Sequence, residues 1–211
     1  MIKQRINYQI VLDETIAELD GKPKPTLLLH ICCAPCATAV IEYLMPYFEI
    51  TVLYYNPNIC DEEEHQKRFD ELLRLLAREP YAGKIKEVLL KKYAPHEFES
   101  VVKEMKDQSE KGTRCQACIA LRLQLAAYYA EKLGADYFTT TLTVSPHKDE
   151  QFINKFGAYL AQKTRGESGG NTKFLQADFK KKDGYKRSVE LSGQYDLYRQ
   201  NFCGCIYSKE S

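Results

Sequence analysis

Thr26-Leu27-Leu28-Leu29-His30-Ile31-Cys32-Cys33-Ala34-Pro35-Cys36 is the stretch from which the fold can be read. A short apolar run without polar alternation, stopped by special residues, reads as a parallel strand buried on both faces. Upstream, Lys22-Pro23-Lys24-Pro25 ends a leading helix expected over residues 8–19, with Ile10, Leu12, Ile16 and Leu19 at helical spacing. Downstream, residues 37–47 read as the helix that follows the strand.

The strand–helix unit then recurs. Strands are expected over 49–55, 84–90, 136–142 and 173–177. Helices are expected over 61–78, 95–106, 118–133, 149–162 and 183–195. Gly134 stands where a helix C-terminal glycine belongs, and 165–171 (Arg-Gly-Glu-Ser-Gly-Gly-Asn) reads as a loop. This alternation predicts one α/β domain over 1–211, with about five parallel strands and helices on both faces. An irregular C-terminal tail would close the site. In such sheets ligands bind beyond the carboxyl ends of the strands, where the strand order reverses. If the first and fourth strands are neighbours, the cysteine loop meets Thr141-Leu142-Thr143-Val144-Ser145-Pro146-His147-Lys148 across one crevice.

The chain has 211 residues and a formal net charge of +1, from 30 basic and 29 acidic side chains. A nucleic-acid partner would therefore be held by a local patch and not by the overall field. No apolar stretch is long enough to span a membrane. The start, Met1-Ile2-Lys3-Gln4-Arg5, leads into a charged amphipathic segment and not into a signal-length apolar core. The expected compartment is the cytoplasm.

Eight cysteines in such a chain need explaining, because a reducing compartment disfavours a disulfide framework. Seven fall in three clusters: Cys32-Cys33-x-x-Cys36, Cys115-x-x-Cys118 and Cys203-x-Cys205. Each is expected in a loop or at a loop–helix junction, and C-x-x-C spacing lets two thiolates converge on one metal. Four thiolates complete either a tetrahedral zinc or a [4Fe–4S] cluster. Four plus three gives a closed cluster and a second metal with an open position, as catalysis needs. Taking adjacent side chains to diverge, the division assigns Cys33, Cys115, Cys118 and one tail cysteine, taken as Cys203, to the cluster. It assigns Cys32, Cys36 and Cys205 to the second metal. The competing reading is one structural zinc with spare thiols in a non-redox, nucleic-acid-binding protein. Cys60 reads as a spare thiol.

The same residues resemble the QueH family of epoxyqueuosine reductases. The matching pieces are His30-Ile31-Cys32-Cys33-Ala34-Pro35-Cys36, Tyr54-Tyr55-Asn56-Pro57-Asn58-Ile59, Arg114-Cys115-Gln116-Ala117-Cys118 and Thr139-Thr140-Thr141-Leu142-Thr143-Val144-Ser145-Pro146-His147-Lys148. Asp178-Phe179-Lys180-Lys181-Lys182-Asp183-Gly184-Tyr185 and Tyr198-Arg199-Gln200-Asn201-Phe202-Cys203-Gly204-Cys205 complete the match over about residues 26–208. The resemblance implies a nucleotide-hydrolase-like (HUP-like) parallel α/β fold and a [4Fe–4S] cluster beside a mononuclear iron. It further implies reduction of epoxyqueuosine to queuosine at the wobble position of tRNAs for Tyr, His, Asn and Asp. Electrons would come from an external donor such as a ferredoxin or flavodoxin.

Other residues divide between function and structure. Cys32 and Cys36 are expected at the reacting metal. His147 and Lys148 would donate protons to the leaving oxygen or contact phosphate. Lys180, Lys181, Lys182, Lys186 and Arg187, with Tyr185, form the densest basic run and would track an anticodon loop. His30 reads as a satisfied histidine at a strand end, and His65 and His96 read as surface residues. An ATP-using sulfur-transfer enzyme on a similar sheet would need a glycine-rich phosphate loop after the first strand. That position holds Cys32-Cys33-Ala34-Pro35-Cys36, which contains no glycine.

Overall fold

A computed structural model describes residues 5–208; residues 1–4 and 209–211, which the single-domain expectation also covers, lie outside the described residues. Strands β1 (Thr26–Ile31), β2 (Glu49–Tyr54), β3 (Ile85–Leu90), β4 (Tyr137–Thr140) and β5 (Lys173–Phe174) form one sheet in the order β3-β2-β1-β4-β5. Every neighbouring pair is parallel. The helices are α1 (Tyr8–Ala17), α2 (Ala34–Leu44), α3 (Glu62–Leu76), α4 (Pro95–Val102), α5 (Thr113–Lys132), α6 (Glu150–Ser168) and α7 (Gly184–Gln194).

Both faces of the sheet are covered, as the unbroken apolar strands require. On β1, Leu27, Leu29 and Ile31 point into a core shared with Leu12, Val40, Ile41, Leu72 and Leu75, from α1, α2 and α3. Leu28 points the other way, into a core with Ile119, Leu123, Ala126 and Ile153 from α5 and α6. The two-residue period of a strand thus sorts one apolar run between two layers. Chain order reverses between β1 and β4, which pair directly with Leu29 opposite Thr139. The crevice expected at that reversal therefore opens beyond His30 and Thr140.

Local signals set the element ends. Asp61 Oδ1 accepts from the Glu63 and Glu64 backbone N–H groups and starts α3. Asp149 does the same for α6 through Gln151 and Phe152. Gly134, after α5, holds a left-handed φ of 64°.

Several boundaries differ from expectation. α6 continues through Ser168, so the expected 165–171 loop begins only at Gly169, the left-handed cap with φ 72°. No proline or other strong break interrupts it earlier. The expected fourth strand stops at Thr140, whose Oγ1 accepts from Leu142 N–H and turns Thr141–Val144 into a 3-10 turn. The fifth strand is only two residues long. α5 begins at Thr113, five residues before the expected start, so Cys115 and Cys118 lie in its first turns and not in a loop. α1 ends at Ala17 and buries Tyr8 and Leu12, whereas Ile10 faces solvent. His65, expected on the surface, is buried against the rings of Tyr54 and Tyr93; His96 is exposed as expected.

Candidate metal centre

The first thiol group forms where β1 hands over to α2. Cys33 is the N-cap of α2, extended at φ −167°, ψ 161°, and Pro35 sits in the first turn. The sulfurs of Cys32, Cys33 and Cys36 lie within 4.8 Å of one another. Cys32 and Cys33 do not diverge: their Sγ atoms are 3.8 Å apart. Two thiolates on one tetrahedral ion at about 2.3 Å would be separated by about 3.8 Å, so this spacing fits a shared centre. Cys32 Sγ also lies 3.5 Å from Thr141 Oγ1, in the turn after β4.

Hydrogen bonds from Cys33 and Cys36 hold the Cys32 thiol well below its usual pKa, with Thr141 assisting against burial. The reciprocal effect of ionised Cys32 pushes Cys33 up to about 12 and Cys36 well above its ordinary range. Ionisation of one of the three sulfurs therefore favours protons on the other two. Metal binding would displace those remaining protons.

The second group joins α5 to the tail. Cys118 and Cys205 pack together with Phe98 and Val102. Burial raises the thiol pKa of both, to about 11 for Cys205, although the Arg122 field opposes the rise at Cys118. Arg122 follows Cys118 by four positions, so both occupy the same helix face. Its guanidinium is 2% exposed; Nε donates to the Cys118 carbonyl at 3.2 Å and Nη2 to Cys118 Sγ at 3.3 Å. Lys148 Nζ donates to Cys203 Sγ at 3.1 Å. Burial disfavours the Lys148 ammonium, yet the Cys203 sulfur more than compensates and its pKa lies above the usual value. Cys115 adjoins Cys118, and both Cys32 and Cys203 lie within the electrostatic reach of Arg122.

The first group and one thiol of the second line a cavity of about 410 Å³. Cys32, Cys33, Cys36 and Cys203 line it, as do Arg122 and Lys148. His147, Tyr185, Arg68, Arg199 and Gln200 are among the other residues of its wall. His147 is exposed, whereas His30 is fully buried with Nδ1 at 2.8 Å from Thr140 Oγ1 and Nε2 at 3.0 Å from the Tyr55 carbonyl. Burial lowers the His30 pKa to about 4, the Arg122 field acting in the same direction. His30 is thus a strand-end histidine with both ring nitrogens satisfied, in keeping with expectation. Cys60 is exposed and its backbone N–H donates to the Gly204 carbonyl, tying the loop after β2 to the tail.

The basic run is less free than its charge implies. Lys180 pairs with Asp178 at 2.7 Å and with Glu150 at 3.3 Å. Lys182 pairs with Asp13, Arg187 with Glu42, and Lys186 lies 4.0 Å from Glu190. Lys181 is exposed, and Tyr185 is the member of the run that reaches the cavity. The sequence reading misses Arg122, Arg68, Arg199 and Gln200. Of these, Arg122 carries a signal in its four-residue spacing from Cys118, Arg199 and Gln200 lie in a family-matching piece, and Arg68 carries none.

The family model for epoxyqueuosine reductase QueH matches residues 27–211. The chain belongs to the QueH family. A Streptococcus pyogenes QueH is 38% identical over 207 residues, covering 97% of this chain and 79% of that protein. A Staphylococcus epidermidis QueH is 36% identical, covering 99% and 87%. A Thermotoga maritima QueH is 32% identical over 186 residues, covering 87% and 90%. Each relative bears the name epoxyqueuosine reductase, so the QueH family is one of oxidoreductases. The matched region contains all eight cysteines. Among the described residues, no QueH helix here is long and apolar enough to cross a membrane.

Proposed function

We propose that this chain reduces epoxyqueuosine to queuosine in tRNA, with its clustered thiols holding the iron that the reaction needs. The carrying observation is the cavity that unites Cys32, Cys33, Cys36 and Cys203 with a buried and a half-buried cation, Arg122 and Lys148. A structural zinc needs four ligands and a closed shell. Here thiols from two chain segments, the β1–α2 junction and the tail, line an open space, which suits a [4Fe–4S] cluster and a mononuclear iron side by side. The trio Cys32, Cys33 and Cys36 offers one three-thiol site with a position left open. Cys115, Cys118, Cys203 and Cys205 offer four thiols for the other. This division supersedes the split of Cys32 from Cys33, because the two sulfurs converge.

The reaction consumes two electrons and two protons. Both carbon–oxygen bonds of the epoxide break, a carbon–carbon double bond forms, and the oxygen leaves as water. The iron would supply Lewis acidity toward the oxygen and one-electron steps, renewed by a donor such as a ferredoxin or flavodoxin. The protein's own part is positional. Lys148, held protonated beside Cys203, is the proton donor nearest the sulfurs, and His147 lines the same cavity. Once metal ionises Cys118, Arg122 would offset the charge on its sulfur in a dry setting, where its field is strongest. The 410 Å³ cavity suits one modified base drawn out of a loop. Tyr185 lies where it could stack on that base, and Lys180, Lys181, Lys182, Lys186 and Arg187 continue outward as the path for phosphates. The tRNAs for Tyr, His, Asn and Asp are the expected substrates, and the cytoplasm the expected compartment.

The test is anaerobic turnover. Reduced protein is mixed with tRNA carrying epoxyqueuosine, and the nucleoside is read by mass spectrometry. Wild type should remove one oxygen atom. Cys36→Ser should abolish that loss while much of the visible absorbance survives. Retained turnover in Cys36→Ser would reject the open-metal assignment.

A further inference from the structure

The tail that carries Cys203 and Cys205 has little regular structure, yet it must deliver two sulfurs accurately. Its hold comes from one face of α3. Glu71 Oε1 accepts from the Tyr198 backbone N–H at 2.5 Å, and Glu64 accepts from the Tyr198 hydroxyl at 3.1 Å. Further along α3, Arg74 donates to the carbonyls of Tyr195 and Asp196, seven or more residues before Cys203, and so anchors the turn after α7 and not the segment that carries the sulfurs. Closest to the sulfurs is Arg68, whose side chain is 3% exposed. Its Nε donates to Glu64 at 2.6 Å and its Nη1 to the Cys203 carbonyl at 3.3 Å. The guanidinium also lies over the Phe202 ring, 5.1 Å from its centroid.

A buried cation with a single carboxylate partner is costly, and Arg68 Nη2 is buried with no hydrogen-bond partner. Packing alone would be served better by an apolar residue. The guanidinium instead makes three directed contacts, and two fall on Phe202 and Cys203. The chain is shaped to let it in. Gly204 holds φ at 101°, and a Cβ there would lie 3.1 Å from Arg68 Nη1 and 3.0 Å from Ile59. Asn58 Nδ2 donates to the same Cys203 carbonyl at 3.3 Å.

We propose that Arg68 is a positioning residue for the metal centre: its guanidinium fixes the Cys203 peptide, and thereby aims the Cys203 sulfur at the cavity. Gly204 is its required neighbour. This inference rests on the reading of Cys203 as a metal ligand. A planar fork that spans Glu64, a carbonyl and an aromatic face cannot be replaced by lysine.

The experiment compares wild type, Arg68→Gln, Arg68→Lys, Gly204→Ala and Arg74→Ala, all isolated anaerobically as full chains. Metal is released to a chromophoric chelator that reports iron or zinc, and absorbance and EPR spectra are recorded. Circular dichroism confirms folding. Removing charge-assisted hydrogen bonds of this kind corresponds to about a 10- to 100-fold faster release. Arg68→Gln and Arg68→Lys should both show it, with a changed spectrum; Gly204→Ala should follow them, and Arg74→Ala should match wild type. If Arg68→Gln fails to fold, Gly204→Ala carries the comparison alone against Arg74→Ala. Wild-type release from Arg68→Gln, or equal acceleration in Arg74→Ala, would overturn the inference and leave the proposed function intact. A wild-type protein with no thiolate-bound metal would overturn both.

Discussion

Arg122→Met tests whether a buried charge holds the sulfurs ready for metal. The guanidinium lies 3.3 Å from Cys118 Sγ. At an effective dielectric of about 20, a charge pair at that distance attracts by about 5 kcal/mol. After desolvation, a hydrogen bond to a charged group keeps about 1.5–3 kcal/mol of this. The metal-loaded protein, whose Cys118 must be ionised, should lose that amount. Competition with a chelator should then show metal held about 10- to 100-fold less tightly. The metal-free protein should behave differently. Burial favours the neutral Cys118 thiol there, so methionine removes a costly buried cation without stranding a charge on Cys118. Its denaturant midpoint should be unchanged or slightly higher. Unchanged metal affinity would refute the electrostatic role. A metal-free protein weakened by several kcal/mol would instead mark Arg122 as a packing element.

Three further perturbations each address one feature of the fold or surface. His30 has a folded-state pKa of about 4, below its unfolded value of about 6.5. The unfolded chain binds the extra proton, so this stabilisation is complete above about pH 6.5 and is lost as pH falls toward 4. The full loss is roughly 3 kcal/mol, and denaturant titrations of metal-free protein at pH 7 and 4.5 should show a smaller drop in His30→Gln. Gly184→Ala would place a Cβ 2.0 Å from the Phe179 carbonyl oxygen; overpacking of about 1–3 kcal/mol should lower Tm by about 2–12 °C, and an unchanged Tm would show that this turn yields. Lys181→Glu with Lys182→Glu should weaken tRNA binding and make it less salt-dependent, by roughly 0.7–0.9 in log–log slope for each phosphate that is no longer neutralised; unaltered affinity would remove the patch from the tRNA path.

Much of this architecture is legible in the sequence because parallel strands write themselves as unbroken apolar runs. The segment 26–31 and its cysteines place the site without coordinates, and the β1–β4 pairing makes the crevice real. What stays hidden depends on backbone detail. The Thr139–Thr143 run has high β-propensity, so the turn that Thr140 imposes through Leu142 is not visible. Adjacent cysteines are expected to point apart, as in a continuing strand. The chain instead leaves the strand at Cys33 to start α2, and both sulfurs reach one point. His65 looks exposed among charged neighbours, yet its face of α3 meets Tyr54 and Tyr93. Arg68 gives no sequence signal because its partners in the tail lie more than a hundred residues away.

Thiols from three parts of the chain are taken to hold redox-active iron around one cavity. Iron and acid-labile sulfide analysis with EPR, on protein prepared without oxygen, reads that claim directly. About five irons and four sulfides per chain are predicted, with a cluster signal that appears or disappears on one-electron reduction. Colourless protein with one zinc and no sulfide would contradict it.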